Sequence, residues 1–292
     1  MTNPETPLAV ITVTYSPGRH LPALVESLAE ATVFPTRLIC ADNGSTDGVP
    51  EDVACANDSV DFLPTGGNIG YGPAINFAAR SLIDAKNAGH INPTYFLIVN
   101  PDVEFLPGSI DALIECARTH PEAGAVGPRI LEADGSAYPS AREVPTLVTG
   151  IGHAVLYPFW PDNPFSRAYK AGEDMDTLRR AGWLSGSCLL VRWDAFEALG
   201  GFDERYFMYF EDIDFGERLT RAGWANLFCP DALITHDQGH AAKKYSAVTT
   251  PAHHDSAYRF QADRHPHWWE APLRLVLWSG LKARALLARA VG

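Results

Sequence analysis

Phe210-Glu211-Asp212-Ile213-Asp214-Phe215 places three carboxylates in five residues, between aromatics, where a helical pattern begins. A helix dipole alone favours acids there, so a plain helix start is one reading. The other is chemical: an ionised carboxylate can take the proton of an attacking hydroxyl, and Tyr206, Phe207, Tyr209 and Phe210 upstream would form a wall on which sugars stack. Asn100-Pro101-Asp102 and Leu233-Ile234-Thr235-His236 each close an apolar run. Asp102 has the oxygen chemistry of a divalent-cation ligand, or of a turn residue. His236 is either a metal ligand or a hydrogen-bonded core residue. Asp42-Asn43-Gly44-Ser45-Thr46-Asp47-Gly48 puts a carboxylate at a strand end, able to accept from a ribose or pyrimidine, with Gly44 permitting a left-handed turn. By itself this is also an ordinary turn sequence. Gly66-Gly67-Asn68-Ile69-Gly70-Tyr71-Gly72 opens a helix with four glycines, whose amides could receive a diphosphate or simply make a tight turn. It lacks the GxGxxG spacing and does not open the first βαβ unit, which argues against a nicotinamide or flavin cofactor. His253, His254, His265 and His267 lie in a polar segment and read as structural or solvated.

Strands and helices must hold these groups. Leu8 to Thr14 is a β-branched apolar run, read as a buried strand, and Leu21, Leu24, Val25 and Leu28 follow at helical spacing. The alternation repeats through Arg37 to Asp42 (strand), Ile75, Ala78, Ala79 and Leu82 (helix), Tyr95 to Val99 (strand), and Ile110, Leu113, Ile114 and Ala117 (helix). Such a pattern predicts an α/β fold with a mostly parallel sheet covered on both faces. Ligands then gather at the carboxyl ends of the strands, where the loops above fall. From Glu132 to Gly182 the periodicity fades into mixed Pro, aromatic and charged residues, predicting a long irregular, substrate-shaping segment. Order returns with a strand over Gly186 to Val191, a short helix from Asp194 and a second from Glu211.

The 292 residues carry 35 acids against 23 Lys and Arg, a net charge of −12, which argues against a nucleic-acid partner. Hydrophobic residues at 46% provide for a folded core. Five cysteines without a CxxC pair give no zinc spacing and no disulfide framework, as expected of a reducing cytosol. Met1 to Pro7 is polar and lacks the basic start of a signal peptide. No apolar run reaches the ~18 residues of a spanning helix, so membrane contact is expected to be peripheral. Ala271 to Gly292 carries Arg274, Lys282, Arg284 and Arg289 without an acid, among Leu273, Leu275, Val276, Leu277, Trp278, Leu281, Leu286 and Leu287. This tail reads either as a basic helix on anionic lipid or as a helix packed on the body or on a second subunit, a homodimer.

Thr14-Tyr15, Asp42-Asn-Gly-Ser-Thr-Asp-Gly, Gly67-Asn68-Ile69-Gly70 with Ala74 and Asn76, Asn100-Pro101-Asp102, Leu184-Ser185-Gly186-Ser187 through Gly200-Gly201-Phe202-Asp203-Glu204, Glu211-Asp212 and His236 occur in that order. In this order the chain resembles a family 2 glycosyltransferase of the GT-A fold over about residues 8–240, and within that family the rhamnosyltransferases. Tyr138-Pro139-Ser140-Ala141-Arg142, Pro158-Phe159-Trp160-Pro161, Trp183 through Arg192, and Ala262-Asp263-Arg264-His265 with Trp268-Trp269 extend the likeness to those of actinobacterial cell-wall linker synthesis. The resemblance implies a Rossmann-like catalytic domain over 1–240, with a nucleotide-sugar half (1–130) and an acceptor half (131–240), followed by a membrane-proximal helical extension (241–292). It implies inverting transfer from dTDP-L-rhamnose to GlcNAc on a polyprenyl diphosphate, with Mg²⁺ or Mn²⁺, at the inner face of the plasma membrane. Carried over by position, Asp212 is the general base and Glu211 meets the acceptor sugar. Thr14, Tyr15, Asp42, Gly67, Asn68, Asn76 and Asp102 bind the donor nucleotide, and Asp102 and His236 hold the metal. Many relatives have Asp-x-Asp where this chain has Asn100-Pro101-Asp102, a single carboxylate. The alternatives are a GT-A enzyme using another nucleotide sugar and a sugar-nucleotide binding protein without turnover.

Overall fold

The computed structural model describes residues 6–132, 134–157, 159–170, 174–237 and 246–291. The chain opens with β1 (Leu8–Thr14), α1 (His20–Ala31), β2 (Thr36–Asp42), α2 (Val49–Ala56), β3 (Val60–Pro64), α3 (Tyr71–Ser81), α4 (Ile83–Asn87) and β4 (Tyr95–Val99). It continues through β5 (Val103–Phe105), α5 (Ser109–Thr119), β6 (Ala123–Leu131), β7 (Ala137–Tyr138), β8 (Ala141–Arg142), α6 (Leu147–Leu156) and α7 (Pro164–Lys170). Next come β9 (Arg179–Ala181), β10 (Trp183–Leu184), β11 (Cys188–Arg192), α8 (Trp193–Leu199), α9 (Glu211–Arg221) and β12 (Ala225–His236). Helices over Ser246–Arg264 and Ala271–Val291 form the expected C-terminal helical extension.

The main sheet runs β3-β2-β1-β4-β11-β6-β12-β5, with β7 added to β6 and β9 to β12. β3, β2, β1 and β4 pair in parallel, as do β6 and β12, while β11 runs antiparallel between β4 and β6. Strand residues alternate between two cores, one on each face. Val10, Leu97 and Val99 face Leu21, Leu24 and Leu113, whereas Ile11, Phe96 and Ile98 face Ile75, Ala78 and Trp193. Two buried faces explain why these strands read as continuous apolar runs. Trp193 anchors the second core: its ring stacks on Phe96 with centroids 4.1 Å apart, and its indole N–H donates to the Asn92 carbonyl at 3.1 Å.

β1 and β4 match the expected strands end to end, and β2 adds one residue, Thr36. The strand expected from Gly186 begins two residues later, at Cys188. His236 ends a strand of 12 residues rather than a short one. A register shift between Cys229 and Leu233 breaks its apolar pattern. The segment expected to be irregular holds the short strands β7, β8 and β9 and the helices α6 and α7. β8 pairs with β10 in a small separate sheet, Arg142 opposite Trp183 and Ala141 opposite Leu184.

Candidate active site

Loops meet at the carboxyl ends of β1, β2 and β3, with Asp102 following β4. In the first, Thr14 is fully buried and its hydroxyl donates to Asp42 Oδ1 at 2.7 Å. Ser45 Oγ donates to the same oxygen at 2.5 Å, and the Gly44 and Ser45 amides donate to Oδ2 at 3.0 and 2.9 Å. Four donors fill the roughly four lone-pair positions of a carboxylate, so Asp42 is the hub that shapes loop 42–48. Ser16 joins that loop to the one after β1, its amide donating to Ser45 Oγ at 2.7 Å and its hydroxyl accepting the Thr46 amide at 3.0 Å. Tyr15, beside this seam, is 42% exposed.

The glycine-rich segment makes the second loop. The Thr65 hydroxyl lies within hydrogen-bond reach of the Asp42 and Gly67 carbonyls at 2.9 and 2.7 Å, and the Asn43 amide reaches Asn68 Oδ1 and the Gly70 carbonyl at 3.4 and 3.0 Å. Gly70 has φ +98°, and a Cβ there would collide with the Phe207 carbonyl. Glycine is therefore required where this loop passes the strand-end cluster. Asn76 sits elsewhere. It is buried, its amide donates to the Phe202 carbonyl at 2.8 Å and to Glu204 at 3.1 Å, and its Oδ1 accepts the Phe202 amide at 2.9 Å. Both its polar atoms are spent on clamping the turn that leads to α9.

Asp102 and His236 meet because β5 pairs antiparallel with β12, Val103 opposite His236. His236 Nε2 lies 3.0 Å from Asp102 Oδ1, and the two side chains are 12% and 15% exposed. The Asp237 amide donates to the Asp102 carbonyl at 3.1 Å, which fixes the approach. Among the described residues no cluster of three or more His, Cys, Asp or Glu side chains is arranged to hold a metal ion.

The acids at the start of α9 complete the cleft. Asp212 accepts the Gly186 amide on Oδ2 at 3.0 Å and the Ile213 amide on Oδ1 at 2.9 Å. Glu211 is 6% exposed, and its Oε2 is buried without a partner. Burial, reinforced by the Asp212 charge, pushes the Glu211 carboxyl up to about 8. Burial raises Asp212 as well, against the pull of its backbone donors and the Arg142 charge. Backbone N–H donors favour the ionised form, so of the two carboxyls Asp212 is the better site for the pair's negative charge and Glu211 for its proton. Asp214 points away, paired with Arg218 at 2.7 Å.

Tyr71 joins the parts. Its hydroxyl donates to the Gly186 carbonyl at 2.7 Å, and its pKa is held well above the usual value by burial and by Glu211, Asp212 and Asp102, all close enough to act on one phenol. Sequence reasoning missed Tyr71, although it lies in the glycine-rich segment, and gave Arg142 no role. The expected aromatic wall is only partly one: Tyr206 is 1% exposed and packs with Ile213 and Phe260. Tyr209 and Phe210, both at φ +66°, pack against His253 instead.

Two buried neighbouring carboxyls and an Asp–His pair, linked through Tyr71, have the chemistry to take a proton from a hydroxyl and to hold a cation. The chain belongs to glycosyl transferase family 2, whose model matches residues 9–183, and its fold is of the GT-A type. It is 49% identical over 282 residues to the N-acetylglucosaminyl-diphospho-decaprenol L-rhamnosyltransferase of Mycobacterium tuberculosis, covering 96% of this chain and 92% of that protein. The structure of S. aureus TarS 1-349 in complex with UDP-GlcNAc superposes with a TM-score of 0.58 at 16% identity, covering 94% of this chain and 71% of that one. GalNAc-T7 with UDP, GalNAc and Mn²⁺ superposes with a TM-score of 0.55 at 14% identity, covering 80% of this chain and 44% of that one. At these identities the two structures speak for the fold. Among the described residues no helix is long and apolar enough to cross a membrane.

Proposed function

We propose that this chain transfers L-rhamnose from dTDP-L-rhamnose to the GlcNAc of a polyprenyl diphosphate, with inversion, in cell-wall linker synthesis. The observation that carries this reading is the 49% identity over 96% of the chain to an enzyme named for that acceptor and that sugar. In this reading the Asp42 hub, with Thr14, Tyr15, Gly67 and Asn68, shapes the nucleoside pocket. The acceptor hydroxyl attacks the anomeric carbon opposite the leaving diphosphate, and its proton passes to the Asp212 carboxylate. Protonated Glu211 donates a hydrogen bond to the acceptor sugar. Asn76 holds the turn before α9 and does not touch the donor. Residues 1–130 serve the donor, 131–240 the acceptor, and 241–292 the membrane; the boundary at 240/241 lies outside the described residues.

Asp102 and His236 suit a divalent cation. One carboxylate oxygen and one imidazole nitrogen 3.0 Å apart match neighbouring donors of an octahedral ion, for which metal–ligand bonds of ~2.1 Å give ~3 Å between them. Two protein ligands leave the other positions to phosphate oxygens and water, as Mg²⁺ and Mn²⁺ commonly bind beside nucleotides. Such an ion would neutralise the charge that develops on the leaving diphosphate.

Membrane contact fits the last helix. Trp268, Trp269, Leu275, Val276 and Trp278 are exposed, while Arg274 and Lys282 tie it to the preceding helix through the His265 carbonyl and Asp255. Trp and basic residues together form interfacial anchors.

The test is a donor and acceptor panel with the purified protein, with and without EDTA. Transfer from dTDP-L-rhamnose to a diphospho-GlcNAc acceptor, lost on chelation and restored by Mg²⁺ or Mn²⁺, is the expected result. Preference for a UDP-hexose, or binding of donor without turnover on any acceptor, would select one of the other readings.

A further inference from the structure

The acceptor in the reading above carries its sugar on a diphosphate, so binding brings two further negative charges next to Asp212 and Glu211. An uncompensated anion beside a partly buried carboxylate is strongly disfavoured. The cation that acts on Asp212 is Arg142, and its position is built rather than incidental. The guanidinium lies 5.3 Å from the Tyr138 ring centroid and 5.7 Å from that of Trp183. Its Nε donates to the Pro139 carbonyl at 2.7 Å, and the Trp183 indole N–H is fixed on the Glu143 carbonyl at 3.1 Å. Opposite Arg142 in the β8–β10 ribbon stands Trp183, three residues before Gly186, whose amide holds Asp212 Oδ2 at 3.0 Å. One short ribbon thus sets both the base and the guanidinium.

Most arginines of this fold are spent on carboxylates, among them Arg37, Arg80, Arg129, Arg192 and Arg218. Among the described residues Arg142 has no such partner, and no hydrogen bond uses its Nη groups. A planar fork, stacked on aromatic rings with its terminal N–H groups uncommitted, matches phosphoryl oxygens bidentately. We propose that Arg142 is the acceptor's diphosphate subsite: its Nη groups bind the phosphoryl oxygens next to GlcNAc and so seat the acceptor hydroxyl on Asp212. This rests on the transfer reading and adds to it a residue that selects for a diphosphate-linked acceptor.

The test compares wild type, Arg142→Gln and Arg142→Lys on two acceptors of equal chain length, a short polyprenyl-diphospho-GlcNAc and a neutral alkyl GlcNAc glycoside, with donor affinity measured by calorimetry. Arg142→Gln is expected to lower kcat/KM on the diphosphate acceptor about 10- to 100-fold more than on the neutral glycoside, the extra loss falling on KM, with donor affinity unchanged, the scale of a lost charge-assisted hydrogen bond. Arg142→Lys keeps the charge without the fork and is expected to fall between; should the Gln variant not fold, it carries the same comparison. Equal losses on both acceptors, no loss on either, or a fall in donor affinity would overturn the proposal. Wild type that transfers to neither acceptor would instead overturn the transfer reading on which it rests.

Discussion

Glu211 and Asp212 are neighbours on one helix with different surroundings, and the proposed acid and base roles rest on that difference. Asp212 is wrapped by the Gly186 and Ile213 amides, whereas Glu211 Oε2 has no donor. Because Glu211 rises from 4.5 to about 8, the folded protein binds this proton more tightly than the unfolded chain. The stability it contributes is therefore whole below pH 4.5 and is lost as pH climbs through about 8. Glu211→Gln cannot ionise, so urea titrations should show a flatter stability profile than wild type across that window. Its relative gain at the alkaline end should be on the order of a few kcal/mol; an unchanged profile would mean that Glu211 is already charged at neutral pH. Asp212→Asn keeps the shape and one of the two acceptor oxygens that the Gly186 and Ile213 amides use, but cannot take a proton. Turnover on a soluble acceptor should fall about 10²- to 10⁴-fold, with donor affinity by calorimetry little changed. Near wild-type turnover would move the base to Glu211 or Asp214.

Elements decide which residues can meet, and here the sequence was readable only in part. β1, β2 and β4 are buried on both faces, so their apolar runs announced them, and the loops that follow were located correctly at the strand ends. β3 was missed because it is an edge strand, carrying Asp61 in an ion pair with Arg37 and ending in Pro64. β8 and β10 were invisible because two-residue strands have no periodicity, and with them went any role for Arg142. Asn76 shows the converse limit. Its place beside the glycine-rich segment suggests donor contact, yet its partners are more than a hundred residues away in sequence, where no local pattern could point. Asn76→Ala would orphan the buried Phe202 amide and carbonyl and should cost about 2 to 4 kcal/mol in chemical denaturation, with donor affinity of the folded fraction retained. A weakened donor with unchanged stability would restore Asn76 to the pocket.

At the scale of the whole molecule, charge and apolar exposure are distributed unevenly. The chain is −12 overall, but its last 22 residues carry four basic residues and no acid. Trp268, Trp269, Leu275, Val276 and Trp278 lie exposed on or just before the last helix. Such a layout would hold the basic, aromatic end against anionic lipid while the acidic body is repelled. Truncation after Glu270 should weaken sedimentation with anionic vesicles and spare turnover on a short water-soluble acceptor. Unchanged vesicle binding with a changed sedimentation mass would assign the helix to a subunit contact. Sugar transfer at a lipid surface is read most directly by label movement from dTDP-L-[¹⁴C]rhamnose into vesicles containing GlcNAc-diphospho-polyprenol. The prediction is label extracted with the lipid in a product of inverted anomeric configuration, for wild type but not for Asp212→Asn. Label remaining in the nucleotide sugar, or released as free rhamnose, would contradict it.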